Sequence, residues 1–176
     1  MKRFFPLLLA LLAGASLAAQ DFAYRTFKDR WVINAHSVEM LAKRRLDVRI
    51  THRFGDLAGA AGGWRTFYGL ENAADVLIGA EYGATDNLSV GLFRTKGAGA
   101  LPQLLHATLK GRFLRQSQGG APLSLAALGL LTLSTTAKSD NPESLNYFPK
   151  FSHRMVYHLQ VLGARKFSDA FSLQLS

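Results

Sequence analysis

The chain has 176 residues, 48% of them hydrophobic and 19% charged, with a formal net charge of +9 and no cysteine. Its apolar content excludes a disordered polymer, and the lack of Cys excludes disulfides, thiolate metal sites and a lipid-modified N-terminal Cys. The basic surplus suits nucleic acid, lipid phosphate or an anionic solute, and composition alone does not choose among them.

In chain order, Met1-Lys2-Arg3, the apolar run Phe4 to Leu12 and the small residues around Ser16-Leu17-Ala18 have the layout of a secretory signal peptide over residues 1–18, cleaved after Ala18. The run is too short for a spanning helix, which needs about 20 apolar residues. Export sets nucleic acid aside as a partner. Residues 19–44 read as an N-terminal segment on the periplasmic side, with a short strand at Trp31-Val32-Ile33 and a helical turn over Ser37 to Leu41 capped by Ser37.

Residues 45–176 read as a partial barrel domain. Arg45 to Phe54 alternates Leu46, Val48, Ile50 and Phe54 with Arg45, Asp47, Arg49, Thr51 and Arg53, and only His52 interrupts the apolar face. That two-residue period is a strand with one face in hydrocarbon or core and one in water. Asn72 to Tyr82, Leu88 to Leu92, Gln103 to Leu114 and Phe151 to Arg165 repeat it, while Leu123 to Ser134 is less regular and is assigned to strand over helix because of Gly129 and Thr132. A last strand starts at Phe171. The prediction is an all-β, antiparallel up-and-down transmembrane barrel, incomplete, of six full strands and one truncated strand. Connections at Gly83 to Asn87, Arg115 to Pro122 and Lys166 to Ala170 read as short; those at Gly55 to Glu71, Thr95 to Pro102 and Thr135 to Pro149 read as long, the layout of outer-membrane barrels.

The segments Val32-Ile33-Asn34-Ala35-His36-Ser37-Val38-Glu39-Met40-Leu41, Leu46 to Asp56 with its His-Arg-Phe-Gly-Asp, and Phe113-Leu114-Arg115-Gln116 resemble a family of bacterial β-barrel outer-membrane proteins classed as a domain of unknown function. The resemblance runs from about Phe27 to Ser176, with Ala35 where a Gly is expected. It implies a barrel in the outer membrane, in contact with its lipid, and no catalytic residue. Seven strands fall short of the even number of at least eight in single-chain bacterial barrels, so the expectation is an N-terminal fragment of a longer barrel.

With the apolar faces toward lipid, the lumen receives Arg49, Arg53, Asp75, Glu81, His106, Lys110, Arg112, Arg154 and His158. One reading is a basic conduit or binding site for an anionic solute. The other, weighted above it, is a cross-strand ladder of hydrogen bonds and ion pairs, with Arg53 to Asp75 and Arg49 to Glu81 as partners. His52, Arg94 and Arg165 lie at strand ends, within reach of lipid phosphate or of water. A lipid-modifying enzyme would draw on His106 or His158 with Ser124, Ser134 or Ser152, but no Gly-x-Ser-x-Gly turn presents a nucleophile. No cofactor is expected, and the five histidines are too scattered to hold a metal. A soluble extracytoplasmic barrel around an apolar ligand would reverse the faces, burying Leu46, Val48, Ile50 and Phe54. Oligomeric state is not legible.

The octet Thr85 to Leu92 returns as Ser168 to Leu175. In each copy a hydroxyl and an Asp are expected to bond their own backbone through a turn that launches a strand.

Overall fold

The computed structural model describes residues 25–32, 35–71 and 75–176; the signal-peptide segment, Ile33 and residues 72–74 fall outside it. Among the described residues there are nine strands: β1 (Trp31–Val32), β2 (Ala35–His36), β3 (Leu46–Arg53), β4 (Asp75–Thr85), β5 (Leu88–Lys96), β6 (Gln103–Leu114), β7 (Ser124–Ser134), β8 (Met155–Lys166) and β9 (Ser172–Leu175). β1 pairs with β2, and β3 to β9 form one sheet in strict sequence order. β3 and β9 end that order, so the sheet is not closed. Among the described residues the only helices are two short 3-10 turns, Trp64–Thr66 and Phe151–Arg154.

The antiparallel register sorts the sequence into rows. On one face Leu46, Tyr82, Val90 and Leu109 line up across β3 to β6, then Val48, Ala80, Leu92 and Ala107, then Ile50, Ile78, Arg94 and Leu105, then His52, Val76, Lys96 and Gln103. On the other face the rows are Asp47, Glu81, Gly91 and Thr108, and then Arg49, Gly79, Phe93 and His106. The burial of these two faces is inverted relative to a water-soluble sheet. Leu46, Val48 and Ile50 are 64%, 66% and 63% exposed, whereas Glu81, Ser89 and Lys110 are 3%, 1% and 2% exposed. Water does not tolerate such an open apolar face over many strands, and hydrocarbon requires it. The alternative with a reversed, apolar-cored barrel is therefore incompatible with the structure.

Several expectations need correction. Ser37 to Leu41 is not helical: Ser37 Oγ does accept the Glu39 N–H at 3.2 Å, but it also donates to the Asp29 carbonyl at 2.7 Å, and that bond back to an earlier segment replaces a helical turn. The loop lengths are less cleanly sorted than the sequence suggests. β5 runs to Lys96, paired with Gln103, which leaves residues 97–102 as the loop, while the connection over residues 115–123 is the longer one. In the octet, Thr85 and Ser168 bond their own turns, accepting the Asn87 and Phe171 N–H groups at 3.1 Å each. Asp86 also accepts the Lys43 N–H at 3.0 Å, tying the turn to the segment before β3, whereas Asp169 pairs with the Lys166 ammonium at 3.2 Å.

The chain divides into two compact units. One gathers the described part of Met1–Glu39 with Arg112–Ala126 and Val161–Ser176; the other comprises Met40–Gly111 and Ala127–Gln160. The core of the first is Val38 against Ala126, Leu162 and Ala164, with Phe27 packed on it. The second is built around the buried side chains of Glu81, Ser89, Phe93, Lys110 and Leu128.

Candidate functional site

The candidate site is the covered face of the strands, where every charged group predicted for the lumen was placed. In the second unit its centre is Glu81 on β4, Ser89 on β5 and Lys110 on β6. Ser89 Oγ donates to Glu81 Oε1 at 2.6 Å, and the register sets Lys110 directly opposite Ser89. A buried carboxylate and a buried ammonium persist together only when each is compensated, and both are engaged here. Arg49 pairs with Asp47 at 3.5 Å on its own strand, and Arg49 and Glu81 each make further interactions. Glu81 lies opposite Asp47 in the ladder and diagonal to Arg49.

A second link crosses three strands. The His106 ring on β6 lies between Thr95 on β5 and Thr132 on β7, with Nε2 to Thr95 Oγ1 at 3.0 Å and Nδ1 to Thr132 Oγ1 at 2.9 Å. A neutral imidazole has one donor and one acceptor nitrogen, and a hydroxyl on each side satisfies either tautomer. No serine or carboxylate takes part. Beside it, Phe93 is buried because β4 and β5 carry glycine beneath its ring: a Cβ at Gly79 would collide with Phe93 Cδ1, and one at Gly91 would lie 2.6 Å from Phe93 Cε2. The glycines are required by that close approach.

The other predicted residues are distributed differently. Arg53 and Asp75 are register partners as expected, but Arg53 is exposed, and Asp75 Oδ1 accepts the Ala98 N–H at 3.2 Å. Arg112 is half-buried and engaged. Arg154 is not on a strand. It ends the second 3-10 turn, where Nη1 donates to the carbonyls of Ser134 at 3.2 Å and Thr136 at 2.7 Å, and its guanidinium lies 4.5 Å from the Phe148 ring centroid. The strand begins only at Met155, so Arg154 ties down the loop before β8. His158 has the parity of the covered face but is exposed.

In the first unit two glutamines, which no sequence pattern singled out as functional, act as backbone substitutes. The Gln116 amide donates from Nε2 to the Lys166 carbonyl and accepts the Lys166 N–H, both at 2.8 Å. The Gln174 amide accepts the Val38 N–H at 3.0 Å and donates to the His36 carbonyl at 2.9 Å. Each makes the two bonds that a neighbouring strand would make. Gln174 thereby holds the N-terminal segment against β9, and Val38 fills the space beside Ala126 and Leu162. The signal for Gln174 was its parity: it alternates with Leu173 and Leu175, which are exposed.

At the other kind of strand end, the Asp56 carboxylate in the loop after β3 accepts the N–H groups of Gly59 at 2.7 Å and of Ala58 and Ala61 at 3.2 Å each. Those donors, Gly59 foremost, hold its pKa below the ordinary aspartate value. The loop closes where the Gly55 N–H donates to the Gly69 carbonyl at 3.0 Å. Gly69 has φ +78°, and a Cβ there would meet the Gly55 carbonyl oxygen at 2.6 Å, so this closure needs glycine.

An apolar face open to its surroundings over buried, compensated charges is the pattern of strands in a bilayer, and it agrees with the comparison with known families. Residues 27–176 match the model of the family described as a membrane-bound beta barrel domain (DUF5777). The chain belongs to that family. The segments that resembled the family in sequence now have structural roles: Ser37 and Val38 seat the N-terminal segment, Asp56 orders the loop after β3, and Gln116 pairs with the Lys166 backbone. No curated protein and no solved structure matches. Among the described residues no helix is long and apolar enough to cross a membrane, a finding that does not bear on strands, and no group of three or more His, Asp or Glu is placed to hold a metal.

Proposed function

We propose that this family member is exported and embedded in the bacterial outer membrane as a barrel whose interior is packed with side chains, and that it serves a structural role there instead of forming an open conduit. The observation that carries this reading is the buried group of Glu81, Ser89 and Lys110. An aqueous pore solvates its lining charges, whereas here they are withdrawn from water and engaged by protein groups. The N-terminal segment supports the same reading, since Val38 and the Gln174 clamp place it on the covered face of the strands. The threonine bonds on both nitrogens of His106 favour a strand-linking role over a catalytic one. In hydrocarbon the free edges of β3 and β9 would leave backbone groups unpaired at several kcal/mol each, so the embedded state requires both edges to be joined, by further strands or by another copy.

The test is expression of the full chain, fractionation of the envelope and reconstitution into planar bilayers. Recovery with the outer membrane and the absence of a steady chloride conductance are expected. Extraction in buffer without detergent would contradict the membrane assignment, and a steady anion-selective conductance would favour the basic conduit.

A further inference from the structure

The open face of β3 to β6 is apolar in its first two rows and changes character at one end. Arg94 stands in the row of Ile50, Ile78 and Leu105, and Lys96 stands in the next row with His52, Val76 and Gln103. Both cations are exposed, and Arg94 Nη2 donates to Gln103 Oε1 at 3.2 Å, which holds the guanidinium along the sheet. Beside them is a groove of about 460 Å³ lined by Val76, Ile78, Arg94, Lys96, Gly97 and Ala98. No carboxylate occupies an outward position on β3, β4, β5 or β6; Asp47, Asp75 and Glu81 all have the opposite parity. The nearest acid, Asp75, is bonded to the Ala98 N–H. Two uncompensated cations on an apolar surface, with an apolar groove running between them and the hydrocarbon rows, match a molecule that carries phosphate at one end and acyl chains at the other.

We propose that Arg94 and Lys96 form a site for the phosphate of an anionic membrane lipid, whose first acyl segment lies in the Val76–Ile78 groove. Arg94 supplies the planar fork that engages two phosphate oxygens, Lys96 adds a point charge from the adjacent row, and Gln103 keeps Arg94 in place. The loop after β3 leaves from the same strand end and carries Trp64, 73% exposed, with Phe67 and Tyr68 at ring distances of 5.8 and 6.2 Å. Amphipathic aromatics gather at the headgroup level, which sets this end of the strands at the same depth as the phosphate.

The experiment uses the full chain in dodecyl maltoside and native mass spectrometry, titrated with phosphatidic acid, with phosphatidylcholine of the same acyl chains and with inorganic phosphate. The wild type is expected to retain one phosphatidic acid in preference to phosphatidylcholine, and Arg94→Gln/Lys96→Gln to lower that affinity by roughly ten- to thirty-fold, the effect of two cations near a membrane surface. Arg94→Lys/Lys96→Arg, which keeps the charge, should retain most of the binding and covers the case in which the first variant does not fold. Lys43→Gln, before the opposite end of β3, should change nothing. Equal binding by the charge-removed variant, an equal loss in Lys43→Gln, or displacement by inorganic phosphate at matched concentration would overturn the site. The proposal rests on the membrane reading, and the two fail separately. A protein soluble without detergent removes both, whereas a membrane protein whose double glutamine variant binds as the wild type removes only this site.

Discussion

Val48→Lys separates lipid from water at the centre of the open face. Val48 is 66% exposed and its row, with Ala80, Leu92 and Ala107, contains no polar side chain; the rows on either side begin with Leu46 and Ile50. At an exposed position of a water-soluble sheet, a lysine changes stability by no more than about 0.5 kcal/mol. At the bilayer midplane the same change costs about 2–4 kcal/mol, falling to about 1 or less near the interface. His52 supplies the internal control, because its row already holds Lys96 and Gln103. Urea unfolding of protein folded into phosphatidylcholine vesicles, followed by tryptophan fluorescence, measures both variants. Val48→Lys should lose at least 2 kcal/mol and His52→Lys about 1 or less. A Val48→Lys protein as stable as the wild type, or two variants with equal losses, would refute the depth gradient.

Gln174→Ala removes both bonds to the N-terminal segment, a loss of about 1 kcal/mol each, and should raise hydrogen exchange at the Val38 amide while leaving the β3 to β6 amides protected; unchanged exchange at Val38 would show that the clamp does not hold the segment. Phe93→Ala vacates a position that is 3% exposed and should cost about 3 kcal/mol or more, and Gly91→Val should be destabilising in the wild type and only partly relieved beside Phe93→Ala, because a Cβ there strikes Thr108 Oγ1 as well as the ring. The loop after β3 should respond to acid. The folded pKa of Asp56 is lowered from 3.8 by the Gly59 amide first, so its contribution is fully present above that value and is lost as pH falls through the lower folded value. The Gly59 amide NMR resonance should hold its position down to pH about 4 and move only below it, and a shift centred above 4 would contradict the nest.

The strands were legible because alternation survives in local sequence wherever one face meets a uniform medium. β6 was bounded at Gln103 and Leu114 from that period alone, and β7 at nearly its observed ends despite Leu128, which faces the covered side. The polarity of the faces was equally visible, since Leu46, Val48 and Ile50 cannot exchange with Asp47, Arg49 and Thr51. Side-chain partners were less so. The Arg53 and Asp75 register was foreseen, but the Arg49–Asp47 pair within one strand and the Arg154 bonds to the Ser134 and Thr136 carbonyls were not, because side-chain partners depend on register and strand starts to within one residue. Gln116 and Gln174 escaped notice for a related reason: an amide that stands in for a strand is recognisable only once its three-dimensional neighbour is known, 50 residues away for Gln116 and 136 for Gln174.

The central claim is that the apolar face of these strands touches lipid, and the lack of cysteine in the chain makes single-cysteine spin labelling along β3 its most direct test. Labels at positions 46 to 51, read by electron paramagnetic resonance in vesicles, report collisions with oxygen, which concentrates in hydrocarbon, and with a water-soluble nickel chelate. Labels replacing Leu46, Val48 and Ile50 should collide strongly with oxygen and weakly with the chelate, and those replacing Asp47, Arg49 and Thr51 should show no such excess, with a two-residue period. Strong collision of the chelate with the Leu46, Val48 and Ile50 labels would place that face in water and contradict the account.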